Sequence, residues 1–214
     1  KYAEYGGFET DPRWQGYGVP PTSNANYAWI LHILNKLNVS RGIAGFLLAN
    51  GALDDSDTQE IRKQLIESDK VEAIIVLPRN MFYSTDISVT LWILNNNKKG
   101  GPWHGRQLRN RTGEILFIDL RTWNSNIYEK KYVRLAEADI DRVRQIYFNW
   151  QTENFAEYAE PELYYAAHRD EIQEKGYSLV PSRYIEFVDR DTEIDYQSAL
   201  SEMSHKFDAL KKRW

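Results

Sequence analysis

Residues 71–94, VEAIIVLPRNMFYSTDISVTLWIL, restrict the possible fold more than any other stretch of this chain. Two apolar runs, 71–77 and 87–94, flank a loop that carries Pro78, Asn80, Phe82, Tyr83 and Thr85. A short continuous apolar run bounded by turn residues is the pattern of a strand buried on both faces. No helix fits between the two runs, so they are expected to be antiparallel neighbours. The loop places two adjacent aromatics among Asn, Ser, Thr and Asp, with its ends held by core strands, so a flat ring is presented at little entropic cost. Phe82 then has two readings: a plug at the sheet edge, or a stacking platform for a planar ligand such as a base. Thr85 and Asp86 are expected to order the loop by bonding nearby backbone.

The elements around this stretch alternate. Tyr27, Ile30, Leu31, Leu34 and Leu37 recur at helical spacing behind the candidate caps Asn24 and Asn26. Residues 42–53, GIAGFLLANGAL, read as a buried strand ending in a turn at Asn50-Gly51. A helix over 58–68 follows, with Ser56 and Asp57 each three residues before a Gln or Glu, the capping-box spacing. Strands alternating with helices predict an α/β sheet with crossover connections. The loop 95–112 carries Lys98, Lys99, Arg106, Arg109 and Arg111, the densest positive charge in the chain, and reads as solvated surface or as a phosphate contact. Residues 114–120 form one more strand.

Beyond it, Ile140, Val143, Ile146, Tyr147 and Trp150 mark a helix over 136–150. The acidic, tyrosine-rich stretch to Lys175 reads as partly helical, and 176–187 as extended. The tail changes character. Tyr196, Leu200, Met203, Phe207, Leu210 and Trp214 step by alternating fours and threes, an a/d seam that packs on another helix, in a partner or in its own domain. At the other end, Gly and Pro punctuate residues 1–23 so heavily that the chain is expected to start partway through a larger unit.

Composition bounds the function. With 42% hydrophobic residues among 214, a sizeable core is available, whereas a net charge of −4 gives no overall basic footprint for nucleic acid. Any DNA contact must come from a local patch or a partner. The absence of cysteine excludes disulfides, thiolate catalysis and Cys-ligated metal. No apolar run approaches 18 residues, so a soluble, cytoplasmic protein is expected. His32, His104, His168 and His205 lack ligand spacing, and no metal is expected.

Taken in order, DPRW, YGVPPTSNANYAWILHILNKL, GIAGFLLANGAL, IRKQLIESDKVEAIIVLPRNMFYSTDISVTLWIL, GEILFIDLR and GYSLVPSRYI resemble the modification subunit of type I restriction–modification systems. The resemblance covers most of the chain, and FYSTDIS between LP and LWIL is its most characteristic piece. It implies a DNA adenine N6-methyltransferase that uses S-adenosylmethionine. The implied fold is the second half of a Rossmann-like methyltransferase sheet with an antiparallel final strand, over residues 1–187. In it, 42–50 would be the fifth strand, 71–77 the sixth and 87–94 the seventh. Residues 188–214 would form a C-terminal helix for subunit docking.

The family's glycine-rich cofactor loop and its Asn-Pro-Pro-Phe/Tyr tetrapeptide are absent; Pro20-Pro21 follows Val19, not Asn. The sequence is therefore expected to be a C-terminal part with no catalytic residue of its own, an incomplete S-adenosylmethionine site, and little activity alone. Phe82, with Tyr83 as the alternative register, is implied to stack on the flipped adenine. Trp29 is implied to lie against the cofactor's adenine ring, its other reading being a buried residue packing helix on sheet. The implied partners are DNA, a specificity subunit that reads sequence and binds the C-terminal helix, a restriction subunit, and the N-terminal half of the same protein; no membrane is implied. A non-catalytic interaction module, and a solitary DNA or RNA methyltransferase of the same fold, are the other expectations. With the upstream strands missing, 42–50 would be an unpaired apolar edge.

Overall fold

The first apolar run forms β2 (Val71–Val76), and all six of its residues are buried. The second forms β3 (Val89–Asn95), which lies antiparallel to it. These come from a computed structural model that describes residues 8–128, 131–188 and 200–204. On the far side of β3 lies β1 (Ile43–Ala49), also antiparallel to it. On the far side of β2, β6 (Glu114–Asp119) runs parallel. It is followed outward by β10 (Tyr164–His168) and the short β9 (Ala159–Glu160), giving the order β1-β3-β2-β6-β10-β9. Two small hairpins stand apart, β4 (Gly101–Trp103) with β5 (Arg106–Leu108) and β7 (Ile127–Tyr128) with β8 (Tyr132–Val133).

The α/β architecture with a mixed sheet is as expected. On one face lie α1 (Asn26–Lys36), α2 (Gln59–Glu67) and α4 (Arg169–Glu174). Tyr27, Ile30, Leu31 and Leu34, one stripe of α1, meet Ile74, Val76, Trp92 and Phe117 in a core that also takes Leu65 and Ile172. The opposite face is covered by α3 (Glu137–Thr152), whose Ile146 and Trp150 pack on Ala73, Ile75, Leu116 and Ile118. Among the described residues no helix is long and apolar enough to cross a membrane.

Several local expectations are corrected. Residues 42–53 are not a buried strand: β1 is the sheet's outer strand, with Ile43 and Leu47 each 45% exposed, and a 3-10 turn occupies Asn50–Leu53. β3 starts at Val89 because the Ile87 amide is taken by Thr85 Oγ1 at 3.3 Å, before the ladder begins. No capping box opens α2. Instead Asp55 accepts from the Asp57 amide and a 3-10 turn, Ser56–Thr58, leads into the helix. The acidic stretch holds β9 and β10 as well as α4, and 176–187 includes a 3-10 turn at Pro181–Arg183. Ile140 faces solvent rather than the core.

The basic loop 95–112 is also unlike its expectation. Most of its cations are turned inward onto protein partners rather than solvated. Lys98 and Arg111 are buried, Arg109 is largely so, and of the five cations only Lys99 is exposed. Lys98 Nζ donates to Asp69, Val71 O and Glu114 O at 2.6–2.9 Å; burial lowers its pKa against the pull of Asp69. Arg111 meets Glu72 inside the protein, and Arg109 forks onto Glu114 with two bonds of 2.7 Å.

Among the described residues β1 pairs on one side only, with β3, which leaves its other backbone edge open beside half-exposed apolar side chains. Such an edge templates association. The chain by itself is expected to show concentration-dependent association in light scattering. Leu47→Lys, a charge on that strand, is expected to suppress it; a monodisperse monomer at high concentration would contradict the expectation.

Candidate functional site

The carboxyl ends of the parallel strands β2 and β6 and the start of β3 converge on one rim. Loop 77–88 leaves β2 there and returns as β3. Its neck is tied by a chain of side-chain bonds. Ser88 Oγ donates to Leu77 O at 2.6 Å, Asn50 Nδ2 donates to Ser88 Oγ at 3.3 Å, and the buried Thr90 donates to Asn50 Oδ1 at 2.7 Å. Asn50 stands just past the last residue of β1, so three strands share in fixing this neck. Further out, the Asn80 amide donates to Asp86 O, Arg79 pairs with Asp86, and Phe82 bridges to Thr85 in antiparallel fashion. Thr85 and Asp86 thus order the loop as their side-chain and backbone chemistry suggests. Asn80 itself has φ of 61°, a left-handed turn that Asn tolerates.

Phe82 is half-buried in this loop, while Tyr83 is 69% exposed and meets the Tyr132 ring edge-on at 4.5 Å between centroids. The Val133 amide donates to Asn80 O at 2.9 Å. The β7–β8 hairpin is therefore seated against the loop, a neighbour that the sequence reading missed. Its signal was present only as the isolated tyrosines of 127–133.

Trp29 lies in the first turn of α1, at the same end of the sheet. The Tyr27 hydroxyl donates to Ala52 O at 2.8 Å and Asn24 Nδ2 to Asp55, which pins that helix end beside the end of β1; burial raises the Tyr27 hydroxyl to about 12. The reading of Trp29 as a buried packing residue is excluded, since it is 53% exposed. It lines a cleft, open to solvent, with Phe8, Trp14, Ala25, Ala28, His32 and Arg13. Arg13 stacks over Trp14 at 4.7 Å, contacts His32 Nδ1 at 3.1 Å and holds the Asp11 carboxyl down at about 2. The hold of Asp11 on Arg13 is thus present above the ordinary value of 3.8 and lost as pH falls toward 2. A flat, apolar floor with few polar groups suits a purine face. Phe82 and Tyr83 do not line this cleft; they share the rim, not the pocket.

The model of the N-6 DNA Methylase family matches residues 2–193. The chain belongs to that family. It is 36% identical over 178 residues to the type I restriction enzyme HindI methylase subunit of Haemophilus influenzae, covering 82% of this chain and 37% of that protein. It is 32% identical to the MjaIX methylase subunit of Methanocaldococcus jannaschii, covering 90% of this chain and 33% of that protein. Among solved structures, the methyltransferase subunit of a type I restriction–modification system from Streptococcus thermophilus superposes with a TM-score of 0.70 at 27% identity, over 85% of this chain and 34% of that one. The chain therefore spans about a third of the length of the curated relatives it matches.

Proposed function

We propose that this chain forms the base-binding part of a DNA adenine N6-methyltransferase, the modification subunit of a type I restriction–modification system. In this reading β1, β2 and β3 are the fifth, sixth and seventh strands of a Rossmann-like methyltransferase sheet. Residues 1–187 belong to the catalytic domain and 188–214 to a docking tail. The observation that carries the reading is the tied loop 77–88, which presents Phe82 and Tyr83 at the rim where β2 and β6 end. In open α/β sheets ligands bind outside the carboxyl ends of the strands.

Adenine methylation needs the base out of its stack and flat in a pocket, which a ring on a stiff loop provides. Phe82 takes this role, with Tyr83 beside it. Trp29 and the apolar floor of its cleft would hold the purine of S-adenosylmethionine, which supplies the methyl group when bound. Acceptors for the target amino group are assigned to the upstream part of the same protein, and sequence reading to a specificity subunit. The tail supports the docking role: residues 200–204 are helical, and Leu200 and Met203 are 70% and 67% exposed. The rest of the a/d seam, Tyr196, Phe207, Leu210 and Trp214, lies outside the described residues. A restriction subunit completes the proposed assembly.

The test uses the gene product that carries this sequence, with its partner subunits, and labelled S-adenosylmethionine. Label is expected at N6 of adenine in duplex DNA, and Trp29→Ala is expected to raise KM for the cofactor about tenfold, as loss of an aromatic contact worth about 1.4 kcal/mol. Label on RNA alone, or on no nucleic acid, would overturn the reading.

A further inference from the structure

Two cations beside the loop stand apart from the chain's paired charges. Lys131 Nζ sits 5.1 Å over the Tyr132 ring, and the Arg134 guanidinium 6.0 Å over Tyr128. Both cations are exposed, and among the described residues neither forms an ion pair. By contrast, Lys98, Arg109, Arg111 and Arg121 are all matched to carboxylates. On the same hairpin Ile127 and Tyr128 are 62% and 45% exposed. Glu137 stands nearby, lining a shallow cleft with Arg134 and Tyr128. The hairpin joins the Phe82 loop through the Tyr83–Tyr132 contact and the Val133 to Asn80 bond.

Exposed cations interleaved with tyrosines fit a polyanion with flat bases: cations meet phosphates, and rings accept any base face. The chain's net charge of −4 makes such a local patch the place where phosphate contact must concentrate. We propose that the β7–β8 hairpin is a DNA-backbone contact, with Lys131 and Arg134 holding phosphates of the strand beside the extruded base. The inference rests on the base-binding reading of Phe82 for its direction, but not for its readout.

The experiment measures duplex affinity by fluorescence anisotropy between 50 and 200 mM salt, on the gene product carrying this sequence with its partners. Lys131→Ala/Arg134→Ala is expected to weaken binding and to flatten the slope of log affinity against log salt by about 1.8, the value for two lost phosphate contacts. Lys131→Arg/Arg134→Lys keeps both charges and is expected to keep the slope, which guards against a folding defect in the Ala variant. An unchanged slope in the Ala variant overturns the proposal. So does an unchanged slope with lost subunit assembly on gel filtration, which would make the hairpin a protein contact. Phe82→Ala, run in parallel with 2-aminopurine at the target base, fails separately: no change there removes the base-stacking reading, while the salt slope still reports on the hairpin.

Discussion

Arg111→Met is expected to lower the stability of this chain by about 3–5 kcal/mol, the usual cost of removing one partner from a buried ion pair. Arg111 and Glu72 are both fully buried, joined Nε to Oε1 at 3.3 Å. The guanidinium also donates to Arg109 O and to Asn97 O. Glu72 has one other donor, Gln151 Nε2 at 2.9 Å, and its Oε2 lacks a hydrogen-bond partner among the described residues. The Tyr147 hydroxyl is buried beside this carboxylate, its pKa raised by burial and then by Glu72. Without Arg111 the carboxylate keeps its burial and loses its countercharge. The double variant Glu72→Met/Arg111→Met removes both charges and is expected to recover much of the loss, since buried pairs replaced together by apolar groups are often neutral. Urea midpoints at constant slope measure both; additive losses would show that the pair is not coupled.

Phe82→Ala is expected to reduce kcat/KM for DNA by about 5- to 150-fold in the gene product that carries this sequence, equivalent to the 1–3 kcal/mol of a base-stacking ring. Phe82→Trp keeps a flat face and is expected to retain most of the rate. The fold should be indifferent to Phe82→Ala, because Phe82 belongs to neither hydrophobic core. The loop neck is tied by Asn50, Ser88 and Thr90, not by the ring. Tyr83→Ala separates the two possible registers. A larger loss at Tyr83 than at Phe82 would transfer the stacking role to Tyr83, and wild-type rates in both variants would leave the loop without it.

The strands β2 and β3 could be read from residues because each is a short apolar run, and α1 because its buried side chains repeat at helical spacing. The basic loop could not. Its charges look solvated in sequence, since the partners of Lys98 and Arg111 are Asp69 and Glu72, 29 and 39 residues away. Only the fold brings those pairs together. β10 was hidden for another reason: YYAAH alternates neither in polarity nor in size, and its place is set by β6 beside it. At the candidate site the loop aromatics and Trp29 were legible as residue types, whereas the rim they share was not. Asn50 and Thr90 gave no signal, because a polar residue at a strand end is ordinary until its partner is known.

The position of β3 dictates an order of assembly. It stands between β1 and β2, although β1 comes first in the chain, so β1 has no ladder to join until β3 is in place. The β2–β3 pairing closes over a short loop and is entropically cheap. Pairing β1 with β3 must close a far longer one, Ala49 with Val89 at its tightest. Nucleation therefore falls to the stretch around the candidate stacking ring, and the open-edged strand joins only after it.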